Sequence, residues 1–187
     1  MTTALKILDH LIDEANAART HFQVWWALRN LALPDFYDTM NDSSYVQFFS
    51  ASSSGHYKLI FVALGKIYDS DTRSAGIEKL KSALRAEERD DVAAKLESDL
   101  ASMKSHVQRV LRIRNRTVLH NEHAIERAKV YELNGIKPDE IWKLIDTTSE
   151  AINTVADALK HPSRVSVGRP YETATLAMLE RLQRGGV

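Results

Sequence analysis

The chain has 187 residues, no cysteine, and 25 basic against 25 acidic side chains, so its formal net charge is zero. The absence of thiols excludes disulfides, thiolate nucleophiles and thiolate metal sites. A neutral chain offers nucleic acid no long-range attraction, so affinity of that kind has to come from a local patch.

At this length one domain with a single substantial core is expected. Met1-Thr2-Thr3-Ala4 leads straight into an amphipathic pattern carrying Asp9, Asp13 and Glu14 rather than into a signal peptide. The longest strongly apolar run, Leu59 to Leu64, is far short of the roughly twenty residues of a membrane span. A soluble, cytoplasmic protein with no membrane partner is expected.

Apolar residues from Leu5 to Leu33, including Leu8, Leu11, Ile12, Phe22, Trp25 and Trp26, recur at steps of three and four and predict a first helix over about 3–33, with Arg29 in the stripe. Pro34 is expected to stop it. Of the adjacent tryptophans, one is expected in the core and the other toward a partner. Residues 34–43 read as a loop, with Ser43 or Ser44 capping the next helix. That helix runs through Tyr45–Phe49, the weak helix formers Ser50–Gly55 and the apolar block Tyr57–Tyr68, which predicts a weak centre or two helices, the small residues allowing close helix approach. Ile77, Leu80 and Leu84 predict a short third helix, followed by a solvated charged turn at Glu87–Asp91.

A fourth helix starts at Asp90 or Asp91 and carries the stripe Val92, Leu96, Leu100, Met103, Val107 and Val110. The next inward place falls to Arg114, where an arginine needs a buried partner, a cleft or a subunit interface. Asn134-Gly135 reads as a turn, and Pro138 opens a fifth helix that reaches Lys160 before His161-Pro162. Residues 163–170 read as an extended tail, and 171–182 as a last short helix. The predicted fold is all-α, an antiparallel bundle of long helices over residues 1–160, with a tail and short C-terminal helical extension over 161–187 belonging to the same single domain.

Chemistry concentrates where the fourth helix runs out, in Arg114-Asn115-Arg116-Thr117-Val118-Leu119-His120. Six positions apart on one helix, Arg114 and His120 would not share a face, so they converge only if the helix ends between them. From Lys104 to Lys129 the chain carries a net charge of plus five, and the remainder minus five. Chance alone supplies about 1.6 arginines followed by a histidine with four to six residues between, and two occur, Arg114 with His120 and Arg116 with His123. Requiring Asn, Asp or His after the arginine lowers the chance expectation to roughly 0.2 and leaves only Arg114-Asn115.

These residues resemble the HEPN domains, all-α proteins whose ribonuclease members carry an arginine, a polar residue and, further on, a histidine. The long first helix, the block Leu64-Gly65-Lys66-Ile67-Tyr68-Asp69 and the late motif followed by another helix are similar to the abortive-infection AbiU-type branch. The resemblance covers about residues 1–160. It implies a metal-independent endoribonuclease of a defence or toxin type, working as a homodimer with two motifs facing across the interface, with an antitoxin or other protein as a possible further partner. On this reading Arg114, Asn115 and His120 are catalytic, Arg116, Arg112 and His123 contact RNA, and neither metal nor cofactor is needed. His120 moves a proton near neutral pH, Arg114 holds the scissile phosphate by two prongs, and Asn115 orients it.

A plainer reading of the same residues pairs Arg114 with an acid on another helix and uses His120 and Arg116 to cap carbonyls. That would suit a non-catalytic helical module that binds protein or RNA. Other constellations are weak. No Glu-x-x-His occurs, so a ferritin-like di-iron set is missing. Glycine-rich phosphate loops and a Gly-x-Ser-x-Gly elbow are missing too. His10, Glu14 and His21 on the first helix read as ordinary surface or half-buried groups.

Overall fold

The computed structural model describes residues 2–71, 73–115 and 135–185. These are helical with short connections, as an all-α chain should be: α1 Thr3–Trp26, a π-helical turn Ala27–Leu31, α2 Leu33–Asn41, α3 Val46–Ile67, α4 Ile77–Ala86, α5 Asp90–Leu100, a 3-10 turn Ala101–Met103, α6 Lys104–Ile113, α7 Pro138–Ala158 and α8 Pro170–Arg184. No strand occurs among the described residues, and none of their helices is long and apolar enough to cross a membrane. The chain falls into two compact units, Met1–Ala18 with Phe61–Ser166, and Arg19–Ile60 with Val167–Val187.

In the first unit the apolar stripes predicted from spacing are the core, except that Val107 is only half-buried. Leu8, Leu11, Phe61, Leu64, Leu80, Leu84, Leu96, Val110, Ile113, Ile141 and Ile152 are all buried. Burying each such side chain contributes about 1.5–3 kcal/mol. α5 packs against both α4 and α7, and α6 against α7. The charged turn after α4 does more than meet solvent: Glu87 Oε1 accepts the backbone N–H of Ala4 at 2.9 Å, satisfying one of the orphan donors at the start of α1. Beyond α7 the chain is extended, and Asn153 grips Val165 through both its amide atoms, at 2.8 and 3.1 Å. Asn16 accepts the N–H of Ser166 at 2.9 Å.

The expected continuous fourth helix is interrupted. Leu100 and Met103 are both buried, and the 3-10 turn between α5 and α6 brings positions three apart into line, so the core keeps both at the cost of three α-helical residues.

Larger departures lie in the second unit. Pro34 does not stop the first helix; it sits in the opening turn of α2, where its missing N–H costs nothing. Residues 33–41 are helix rather than loop. Asp42, not a serine, organises the following turn, its Oδ1 accepting the N–H of Ser44 at 2.8 Å. α3 is one helix, not two.

The predicted stripe through Arg29 and Leu33 is also displaced. Phe22, Ala27, Leu28, Ala32, Phe36 and Met40 are the buried apolar positions, and the inward stripe runs on from Leu28 through Ala32, Phe36 and Met40. The N–H of Ala32 bonds to the carbonyl of Ala27 at 2.8 Å, the five-residue bond of a π turn, and this added residue carries Arg29 and Leu33 out of the core. Neither tryptophan is buried. Trp26 stacks on Phe22 with ring centroids 6.0 Å apart, and Trp25 lies 5.0 Å from Tyr57. α8 covers this small core with Leu179. Buried Gln23 fixes the approach to α8, donating to Gly168 O and accepting from the N–H of Tyr171, both at 3.1 Å.

Candidate active site

α6 ends on Val110 and Ile113, both fully buried, and Arg114 follows with its backbone still helical (φ −52°, ψ −52°). Its side chain is 16% exposed, so the inward position read from the stripe is half right: the stem goes in and the head reaches an edge. What admits it is Gly65 on α3. A Cβ at that position would lie 2.2 Å from Arg114 Cδ and 2.8 Å from Nη1, well inside contact distance, so the guanidinium stem passes directly over a bare helical backbone.

Two groups then fix the head. Nε donates to Asn115 Oδ1 at 3.0 Å, and Nη1 stands 3.6 Å from Asp69 Oδ2. The second contact is an ion pair too long to be a hydrogen bond. Among the described residues the Nη atoms of Arg114 donate no hydrogen bond and have only the long ion pair with Asp69, and their fork has the donor geometry that suits a phosphate oxygen.

Asp69 is itself held. Its Oδ1 accepts the N–H of Asp71 at 3.0 Å, and neighbouring Tyr68 anchors the end of α3 through its hydroxyl, 2.5 Å from Thr148 Oγ1. Thr148 in turn donates to the carbonyl of Leu144 at 2.6 Å. Burial pushes the Tyr68 phenol up to about 12, so it stays a neutral hydrogen-bonding anchor at any physiological pH.

The plus-five patch is weaker as a field than its count. Arg109 is consumed by a two-pronged pair with Glu140, at 2.9 and 3.1 Å, and donates to the carbonyl of Gly135 at 2.8 Å. Glu140 lies outside Lys104–Lys129 and offsets one of its positive charges. Arg112 is exposed. Arg116, His120, His123 and the predicted turn at Asn134 lie outside the described residues. Of the predicted site residues the structure thus joins Arg114 to Asn115 and leaves Arg112 at the surface. Among the described residues no three His, Cys, Asp or Glu side chains are grouped as a metal would require.

Hydrogen bonds from Arg109, with one from the N–H of Lys137 at 2.8 Å, hold the Glu140 carboxyl down to about 2. A carboxyl depressed in the folded state adds stability that is complete above its unfolded value of 4.5 and disappears as pH falls toward 2. Solvent screening of this partly exposed pair limits the contribution to about 1 kcal/mol. Melting curves of the parent and Glu140→Gln should accordingly differ at pH 6 and converge as the pH is lowered through 4 to 3; a constant gap would contradict the assignment.

Sequence reasoning missed the two residues that position Arg114, although both lie in the Leu64–Asp69 block. Gly65 did leave a signal: a glycine inside a strongly apolar helix costs about 1 kcal/mol against alanine and calls for a packing or functional reason.

An all-helical chain that presents an Arg-Asn pair at the end of an inner helix, with a histidine following in the sequence, has the make-up of a HEPN domain. The family model described as AbiU2 matches residues 1–174, and the chain belongs to that HEPN family. Compared with curated proteins and with solved structures, the chain finds no match in either.

Proposed function

We propose that the protein is a metal-independent endoribonuclease of the abortive-infection or toxin type, acting in the cytoplasm as a homodimer whose two motifs meet at the subunit interface. The observation that carries this reading is the Arg114 head, held by Asn115 over Gly65, whose Nη atoms make only a long ion pair with Asp69 among the described residues. Family membership adds the expectation of an RNA-directed role in abortive infection.

In the reaction the ribose 2′-oxygen attacks the adjacent phosphorus while the bond from phosphorus to the 5′-oxygen breaks. A histidine removes the 2′-hydroxyl proton and a protonated one supplies the proton to the leaving 5′-oxygen. Two copies of His120, one from each subunit, suffice for both roles. Arg114 stabilises the charge gathering on the non-bridging oxygens, displacing its loose contact with Asp69, and Asn115 keeps the fork aligned. Arg112, Arg116 and His123 contact flanking phosphates. The products are a 2′,3′-cyclic phosphate and a 5′-hydroxyl, and no step uses a metal. Cleavage of single-stranded RNA in EDTA, giving cyclic-phosphate ends and requiring both Arg114 and His120, tests the assignment; metal-dependent cleavage would sink it.

One observation favours a second reading. Asp69 already gives Arg114 a partner within the single chain, so the arginine's inward position does not by itself demand a second subunit. On that reading Arg114 is a structural ion pair in a non-catalytic helical module that binds RNA or protein.

A further inference from the structure

The second unit contains a pocket of about 590 Å³, within the range of sites for small organic ligands. Trp25 and Tyr57 form an aromatic wall, Arg29 is the only charged lining residue among the described residues, and Ser50, Ser53 and Ser54 of α3 line another side. The run of small residues read from the sequence as a close-packing seam therefore faces open space instead; even Gly55 has nothing within 4 Å of an added Cβ.

Three features point to the kind of occupant. First, hydroxyls elsewhere in these helices bond back to a carbonyl four residues earlier, as in Ser82, Thr148, Thr154 and Thr175. Ser50, Ser53 and Ser54, sharing one helix face, make no hydrogen bond among the described residues. Second, Arg29 is exposed and has no ion-pair partner among the described residues; the π turn placed it here by carrying it off the inward stripe. Third, the wall sets an indole and a phenol ring 5.0 Å apart at 37° to each other, two aromatic faces with no carboxylate among the described lining residues to repel an anion. A planar aromatic group, edge hydrogen-bonding atoms and one negative charge are the components of a nucleotide.

We propose that this pocket binds one unpaired nucleotide, its base laid on Trp25 and Tyr57, its polar edge on the serine hydroxyls and its phosphate on Arg29. The proposal rests on the RNA-directed reading for its favoured source, a single-stranded RNA; a free mononucleotide carries the same chemistry.

The test uses the full chain carrying Arg114→Ala, so that RNA is bound without being cut. Fluorescein-labelled oligoadenylate is followed by anisotropy, and adenosine 5′-monophosphate by tryptophan quenching. Arg29→Gln removes the charge at an exposed site, and Ser53→Leu fills the pocket while favouring helix. Each should weaken binding about tenfold with an unchanged melting curve, and Arg29→Gln should flatten the dependence of log affinity on log salt by about 0.7. Stronger binding of the oligomer than of the monophosphate assigns the pocket to RNA, and equal binding assigns it to free nucleotide. Unaltered affinity in both variants, or no binding of either probe to the parent, overturns the proposal. If the pocket variants lose binding while the wild-type protein cuts no RNA, the pocket stands and the ribonuclease reading falls.

Discussion

Gly65→Ala is expected to abolish most RNA cleavage while leaving the protein folded. The methyl group would stand 2.2 Å from Arg114 Cδ, and the flexible arginine stem yields more readily than the buried helix beneath it. Once displaced, the guanidinium loses its alignment with Asn115. Removing one stabilising donor set from a developing phosphate or acyl oxyanion commonly costs a factor of about 100–1,000, and a loss of at least 100-fold is expected here. Stability pulls the other way: replacing a helix-interior glycine by alanine gains about 0.5–1 kcal/mol, and losing the loose pair with Asp69 gives back a similar amount. The thermal midpoint should therefore move by no more than about 4 °C. Full activity in a folded Gly65→Ala protein would remove Arg114 from the site.

The second large effect separates the catalytic reading from the structural one. Arg114→Ala and His120→Ala should each lower cleavage by about 100- to 10,000-fold with modest loss of stability. Arg114→Lys should recover little, because a point charge cannot reproduce the flat two-pronged fork. Asp69→Asn is the informative companion: it keeps the hydrogen bond from Asp71 possible and removes only the charge opposite Arg114, so cleavage should stay within about tenfold of wild type. If Arg114 is instead a structural ion pair, Arg114→Ala and Asp69→Asn should destabilise alike, and there should be no RNA cleavage for either to diminish. Activity against pH supplies an independent readout, since an essential base and an essential acid drawn from two imidazoles give a bell-shaped profile.

Much of the first unit was legible in the sequence because its signals are local and periodic. The stripes of α4, α5 and α7 repeat at helical spacing, and Pro138 and His161-Pro162 punctuate where chain stereochemistry requires. The Arg114-Asn115 pair was visible for the same reason, lying at the end of one such stripe. Gly65 and Asp69 were not, because their meaning depends on Arg114 at the end of α6 meeting the end of α3, a pairing about fifty residues apart that no spacing encodes. Arg109 was misjudged by a related route: a charge count over a window cannot know that Glu140, outside the window, neutralises it. In the second unit reading by spacing failed at one residue. Steps of three and four from Trp25 and Trp26 lead to Arg29 and Leu33, whereas the single π turn there puts Leu28, Ala32, Phe36 and Met40 inside and those two residues outside.

That added residue bears on how the family can change. A π turn of this kind is an α-helix with one residue inserted, and each residue turns an α-helix by about 100°. A relative lacking one position within Ala27–Leu31 should revert to plain α-helix, swing the equivalent of Arg29 toward the interior and relieve selection to keep it basic. The presence of arginine at this position and the length of the segment are then expected to be inherited together, as a single unit of gain or loss, even though the Arg114 motif persists unchanged.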